Sequence, residues 1–244
     1  PTPEEIFPSA DIGLYAAKEQ GRRRVCIFNP EIKRRLDRQK QIEMALEQAI
    51  ATGEIRVFYQ PQVTLLDGDI VGFEALLRWT HPEVGAVAPP EIVQAAKAIH
   101  LSRMLTAHVA AQAAELAGSL PRLGLPGIPV SINVSPEEFS AYSISRSLQE
   151  IVIAAGIHPS QIEIEITEDA LLDKATAGTE LARLEEAGFR LAVDDFGMGH
   201  SSLAYLVGLR IDRLKIDRSF VTGIAASREN QALVAALVGM GHAL

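Results

Sequence analysis

The chain has 244 residues, 48% hydrophobic and 22% charged, a balance that supports a large buried core and excludes a disordered or low-complexity protein. Its net charge of −8 argues against a nucleic-acid polymer as partner, because binding to a phosphate backbone is driven by lysine and arginine. Cys26 is the only cysteine, which excludes an intrachain disulfide framework and a thiolate metal cluster and fits a reducing compartment. No apolar run approaches the roughly 20 residues of a membrane-spanning helix, and the opening PTPEEIFPSAD lacks the regions of a secretory signal. The expectation is a cytoplasmic module, with any membrane tether of the parent protein lying upstream.

In chain order, ADIGLYAAKEQ (10–20) has helical spacing and ends at Gly21, and RVCIFN reads as a short strand. A second helix is expected over 31–51, stopping at Gly53. Residues 1–50 carry nine Lys/Arg against eight Asp/Glu, which leaves 14 basic and 23 acidic residues for the rest. The basic stretch from Lys18 to Lys40 reads as a solvated connecting helix rather than a binding site. After Gly53 come six strand candidates: IRVFYQPQV (55–63), IVGFEALLRW (70–79), PVSINVS (129–135), IEIEIT (162–167), RLAVDDF (190–196) and RLKID (213–217). Helical patterns fill the gaps at 90–118, 143–155, 176–188 and 228–240.

Strand-then-helix repeats imply parallel strands with right-handed crossovers, in a (β/α)8 barrel or a doubly wound open sheet. Polar residues decide between them. Gln60, Glu74, Asn133, Glu165 with Glu168, Asp194 with Asp195, and Lys215 each lie late in or just past an apolar run. Parallel strands would bring these ends to one rim, as in a barrel, whereas an open sheet gathers only the residues near its switch point. The expected fold is therefore an α/β, TIM-type (β/α)8 barrel. Six strands fall short of eight, so the last two are expected beyond Leu244.

Four carboxylates on one rim, Glu74, Glu165, Asp194 and Asp195, need a compensating charge. With the amide of Asn133 they form an all-oxygen donor set suited to Mg²⁺, Mn²⁺ or Ca²⁺, and no histidine pair shows zinc spacing. Five donors fit two ions that share an aspartate and clamp an in-line phosphoryl displacement. Lys215, in an apolar strand near a cationic site, is expected to have a depressed pKa and to orient or deprotonate a water. Arg78 suits a phosphate oxygen. Singly, each has a structural reading: Glu74 as a partner of Arg78, Asn133 as a helix cap, Glu165 and Glu168 as solvated charges, Lys215 as a salt-bridge partner. Jointly, matching polar residues on six strands point to a site. The adjacent Asp194 and Asp195 would alternate faces on a regular strand, so both reach one site only where the strand breaks near Gly197. Trp79 and Phe73 read as packing, His81 and His200 as surface loop residues, and Met198 as a loop gap-filler.

EALLRW resembles the signature of the EAL domain, and SINVS, EIEITE, DDFGMGHSSLAYL and LKIDRSFV resemble that family's later strand-end motifs, in order, over about 40–244. The resemblance implies a (β/α)8 barrel that hydrolyses cyclic di-GMP to linear pGpG with Mg²⁺ or Mn²⁺, acting as a homodimer through the barrel. It implies metal ligation by Glu74, Asn133, Glu165 and Asp194, with Asp195 at the second ion. Lys215 would position the water, Glu168 would support the loop after Asp195, and Gln60 and Arg78 would contact substrate. ADIGLYAAKEQGRRRV looks like the tail of a GGDEF domain in cis. The implied organisation is a GGDEF-like tail at 1–30, a connecting helix at 31–52 and the EAL-like barrel at 53–244. The chain departs from the family pattern at Met198 and His200, in a loop that couples the metal site to dimerisation, and at Arg210. The family's later AEGVE glutamate would follow Leu244, so residues 1–244 alone are expected to be inactive. The alternatives are an inactive cyclic di-GMP receptor or protein-interaction barrel, and a Schiff-base lyase or aldolase using Lys215.

Overall fold

The computed structural model of the protein describes residues 3–19, 21, 23, 25–168, 171, 177–197 and 209–243. The chain divides into two compact units, Pro1–Arg56 with Arg78–Leu101, and Val57–Leu77 with Ser102–Leu244.

The first unit holds helices α1 (Pro3–Glu19) and α2 (Pro30–Ala51). Asn29 caps α2 by accepting from Ile32 N at 2.8 Å, and Pro30 occupies the first turn, where no amide hydrogen is required. Ile42, Leu46, Ala49 and Ile50 form its buried stripe at helical spacing. Lys33, Arg34, Arg35 and Lys40 face solvent, as expected of a connecting helix. Arg38 departs from that reading. Its guanidinium grips Glu91 through Nε (2.7 Å) and Nη2 (3.1 Å) and donates to Val84 O (2.9 Å) and Ala86 O (2.7 Å).

Residues 25–29 form no strand, against expectation. Val25 and Ile27 are 91% and 83% exposed. An apolar run becomes a strand only within a ladder of backbone hydrogen bonds, and residues 25–29 join no ladder among the described residues. Strand β2 (Ile70–His81) extends two residues past the expected end, where it pairs antiparallel with a short β3 (Gly85–Val87). His81 is buried, and its Nδ1 accepts from Glu83 N and Val84 N, both at 3.1 Å. It ties a turn rather than lying on the surface, and its ring meets Trp79 edge-on with centroids 5.4 Å apart. The single helix expected over 90–118 is two, α3 (Pro89–Ala98) and α4 (Ser102–Ser119). Between them His100 takes a left-handed φ of 59°, and Leu101 N bonds back to Ala96 O at 2.7 Å, closing α3.

The second unit is a mixed α/β fold. Strands β1 (Arg56–Val63), β2, β4 (Val130–Asn133), β5 (Ile162–Thr167), β6 (Arg190–Phe196) and β7 (Arg213–Ile216) lie side by side in that order. From β2 to β7 each pair is parallel, and the sheet curls into a half-barrel. Helices α5 (Glu138–Ala141), α6 (Ile144–Ala155), α7 (Ala177–Glu186), α8 (Arg218–Val221) and α9 (Arg228–Ala243) complete the unit with α4. One expectation fails at β1. Only six residues separate it from β2, and Thr64 N bonds Asp69 O at 2.9 Å across that turn, whereas a parallel crossover needs a dozen or more. β1 and β2 are therefore an antiparallel hairpin, so the later end of β1, which carries Gln60, does not share a rim with the later ends of the other strands.

Alternation along β5 shows how the sheet divides its faces. Ile162, Ile164 and Ile166 are fully buried in the core with Val109, Ala113 and Ala117 of α4, Leu148 and Val152 of α6, and Leu181 and Leu184 of α7. Each such isoleucine contributes about 1.5–3 kcal/mol by burial. The run of alanines keeps α4 slim enough to lie close on the sheet. Glu163 and Glu165 project to the opposite, concave face.

Candidate metal centre in the concave face

The register carries the polar residues to that face together. Glu74 lies opposite Ser131, Ser131 opposite Glu163, Asn133 opposite Glu165, and Asp194 opposite Thr167. Paired residues of neighbouring parallel strands share a face, so four strands aim their carboxylates and amide into one space. Glu74, Glu165 and Asp194 each offer an oxygen within 4.8 Å of the others. Lys215 of β7 sits among them, its Nζ 2.6 Å from Glu165 Oε2, 2.8 Å from Asp194 Oδ2 and 3.5 Å from Glu74 Oε2. Asn133 Nδ2 donates to Glu74 Oε1 at 3.2 Å.

The charges do not balance. One ammonium faces three carboxylates, and the Glu165 side chain is wholly buried. Burial pushes the Glu165 carboxyl up to about 7; Lys215 opposes that rise and the neighbouring Glu74 and Asp194 add to it. With no cation bound, Lys215 departs from the expected depression. Burial alone would lower its pKa, but the attraction of Glu165 and its hydrogen bonds to Asp194 and Glu165 outweigh that, and the net shift is upward. The expected depression assumed a cationic neighbourhood, whereas the side chains that surround Lys215 are anionic. With these partners around it, the lysine acts as a cation and hydrogen-bond donor to Glu165 and Asp194.

Asp195 takes a path of its own. Its φ is +52°, a left-handed conformation uncommon outside glycine, and the β6–β7 pairing shifts register between Val193 and Phe196. The irregularity thus begins at the aspartate itself, two residues before Gly197. Asp195 N bonds Asp194 Oδ1 at 2.9 Å, which fixes the first aspartate from behind. Burial, Asp194 and Asp217 raise the Asp195 carboxyl. Asp217, which caps α8 by accepting from Ser219 N at 2.8 Å, is a partner that sequence reasoning missed, although its place two residues beyond Lys215 marked it. Glu168, just past β5, accepts from Gly197 N at 3.2 Å and so holds the backbone that leaves β6.

The structure therefore brings Glu74, Asn133, Glu165, Asp194 and Lys215 together and sets Glu168 and Asp195 beside them. Gln60 is exposed on β1, and Arg78 is exposed late in β2, within the first unit. Met198 and His200 lie outside the described residues.

The donor set fits a hard divalent cation. All its donors are oxygens, from three carboxylates and an amide that can present oxygen after half a turn. Glu165 Oε1 is buried with no hydrogen-bond partner among the described residues. Leaving such an atom unmade costs about 1–3 kcal/mol, more for a charged group, and an ion bound in this face would relieve it.

Comparison with known proteins agrees with this picture. The family described as the EAL domain matches residues 43–244. Among curated proteins of Pseudomonas aeruginosa, cyclic di-GMP phosphodiesterase NbdA is 33% identical over 99% of this chain and 31% of its own length. The bifunctional diguanylate cyclase/cyclic di-GMP phosphodiesterase MucR is 32% identical over 100% of this chain and 36% of its own length. The chain thus spans about a third of the length of these relatives. Among solved structures, the PaMucR phosphodiesterase in complex with c-di-GMP superposes with a TM-score of 0.76 at 31% identity, covering 83% of each chain.

Proposed function

Because the chain belongs to the EAL-domain family, we propose that it serves in a metal-dependent phosphodiesterase that opens one of the two 3′–5′ phosphodiester bonds of cyclic di-GMP to give linear pGpG. The observation that carries this reading is the surplus of carboxylate around Lys215, with a buried, unpartnered oxygen on Glu165. In the proposal, Glu74, Asn133, Glu165 and Asp194 hold Mg²⁺ or Mn²⁺, and Asp195 adds an oxygen for a second ion. The ions supply Lewis-acid stabilisation of the charge that builds on the phosphoryl oxygens.

The side chains do the rest. Lys215 donates to the attacking water and orients it toward phosphorus. The water oxygen forms the new P–O bond and gives up one proton to solvent, the bond to the 3′ oxygen breaks, and that oxygen takes up a proton from solvent as it leaves. Glu168 keeps the segment after Asp195 in place through Gly197. Gln60 and Arg78 are proposed substrate contacts.

The same reading covers the whole chain. Residues 1–30 are proposed as the tail of a GGDEF domain in cis, 31–52 as a connecting helix and 53–244 as the barrel, acting in the cytoplasm as a homodimer. A match of the whole of this chain to 36% of a relative named as a bifunctional cyclase and phosphodiesterase supports the tandem arrangement. The test is anion-exchange chromatography of cyclic di-GMP incubated with the whole protein and Mg²⁺. A pGpG peak that needs the metal is expected. Binding of cyclic di-GMP without product would replace this reading with that of a receptor.

A further inference from the structure

Beneath the carboxylate cluster the same strands carry a second polar layer. Two residues earlier on each inward face, Glu165 gives way to Glu163, Asn133 to Ser131, Lys215 to Arg213, Asp194 to Ala192 and Glu74 to Gly72. Glu163 and Ser131 are 1% and 0% exposed, and Ser131 Oγ donates to Glu163 Oε1 at 2.7 Å. Arg213 Nη1 lies 3.5 Å from Glu163 Oε1 and donates to Gln62 Oε1 of β1. β1 and β7 are the two ends of the strand order, so Arg213 and Gln62 form a strut across the concave face.

Two small residues make the strut possible. Ala192 lies opposite Arg213 in register and leaves the guanidinium a path over β6 to Glu163. A Cβ on Gly72 would stand 2.5 Å from Gln62 Oε1 and 3.4 Å from Arg213 Nη1, so any larger residue there moves the end of Gln62 away from Arg213.

Resting on the cation site proposed above, we propose that Arg213 is a positioning residue for that site. By pairing with Glu163 it leaves Lys215 to Glu165 and Asp194 one layer higher. Glu163 and Glu165 share one face of β5, and Arg213 and Lys215 share one face of β7, so the four make two stacked pairs. Without Arg213, the buried Glu163 carboxylate loses its ion-pair partner below the cluster and competes for Lys215, two residues further along the same face of β7. That competition spoils the donor set above.

The experiment uses the whole protein and reads Mn²⁺ affinity by electron paramagnetic resonance alongside turnover of cyclic di-GMP. Arg213→Met is expected to weaken Mn²⁺ binding by about 10- to 100-fold, the range for lost outer-shell partners, and to lower kcat while leaving KM near its original value. Arg213→Lys restores the charge and recovers part of the affinity. Gly72→Ala, which keeps both charges, shifts affinity in the same direction by less and serves if Arg213→Met does not fold. Mn²⁺ affinity within about twofold of the parent in the folded variants would overturn the inference. Normal Mn²⁺ binding by the parent with no pGpG would instead overturn the phosphodiesterase reading alone, and a parent that takes no Mn²⁺ would overturn both.

Discussion

The Arg38 clamp in the first unit and the Lys215 cluster in the second are built from the same materials and differ in their balance. Arg38 meets one carboxylate, Glu91, through Nε and Nη2 and satisfies two carbonyl oxygens through Nη1 and Nη2. The contact is matched one to one and touches solvent, with 32% and 37% of the two side chains exposed. Lys215 meets three carboxylates, one fully buried, and an oxygen of that one is left over. A matched pair holds structure together. A surplus of acceptors on rigid strands is relieved by a further cation, and that distinguishes a site from a brace.

The largest expected consequence is in turnover. Glu74→Ala in the whole protein should lower kcat/KM by more than about 100-fold, since it removes a proposed ligand rather than a supporting partner, whereas Arg38→Met should leave it unchanged. Next comes the response to metal. Mg²⁺ at about a hundredfold excess over its Kd should raise stability by about 2.7 kcal/mol, on the order of 5–10 °C in melting temperature. Glu74→Ala should abolish that shift, and differential scanning calorimetry reads both.

The two glutamates should then respond oppositely to neutralisation. The folded pKa of Glu165 is raised, so the folded chain binds a proton that the unfolded chain has lost, and stability falls as pH rises from the unfolded value, near 4.5, through about 7. In chelator, Glu165→Gln should stabilise the protein above that range by about 1 kcal/mol, some 2–4 °C, while eliminating turnover. Glu91 is the reverse. Its hydrogen bond to Arg38 holds its folded pKa low against a burial effect that raises it. Its contribution is present above the unfolded value and lost as pH falls through the folded one. Glu91→Gln should therefore lower the melting temperature at neutral pH and flatten its acid decline, an effect reduced by solvent screening. Equal behaviour of the two variants would erase the distinction between brace and site.

Much of this was legible in the sequence because alternation in parallel strands is a strong signal. IEIEIT gives β5 to the residue, and the same period places Glu163 and Glu165 on one face. Glu163 and Arg213 of the lower polar layer follow the same alternation as Glu165 and Lys215 but lie below the strand ends, where a catalytic rim is not expected. What the sequence hid were consequences of pairing and closure. The β1–β2 turn reverses a strand whose composition looks like the others, and His100 breaks an alanine-rich helix with a left-handed residue that is not glycine. The short β3 has three residues, too few for a period. The partners of Lys215 come from β2, β5 and β6, far from it in sequence.

The most direct test of the central claim is a single preparation of the whole protein, stripped with chelator, assayed on cyclic di-GMP, then assayed again after Mg²⁺ or Mn²⁺ is restored, beside Glu165→Gln treated identically. The account predicts no pGpG before restoration, pGpG afterwards, and none from the variant in either state. Equal product before and after restoration, or full activity in the variant, would contradict it.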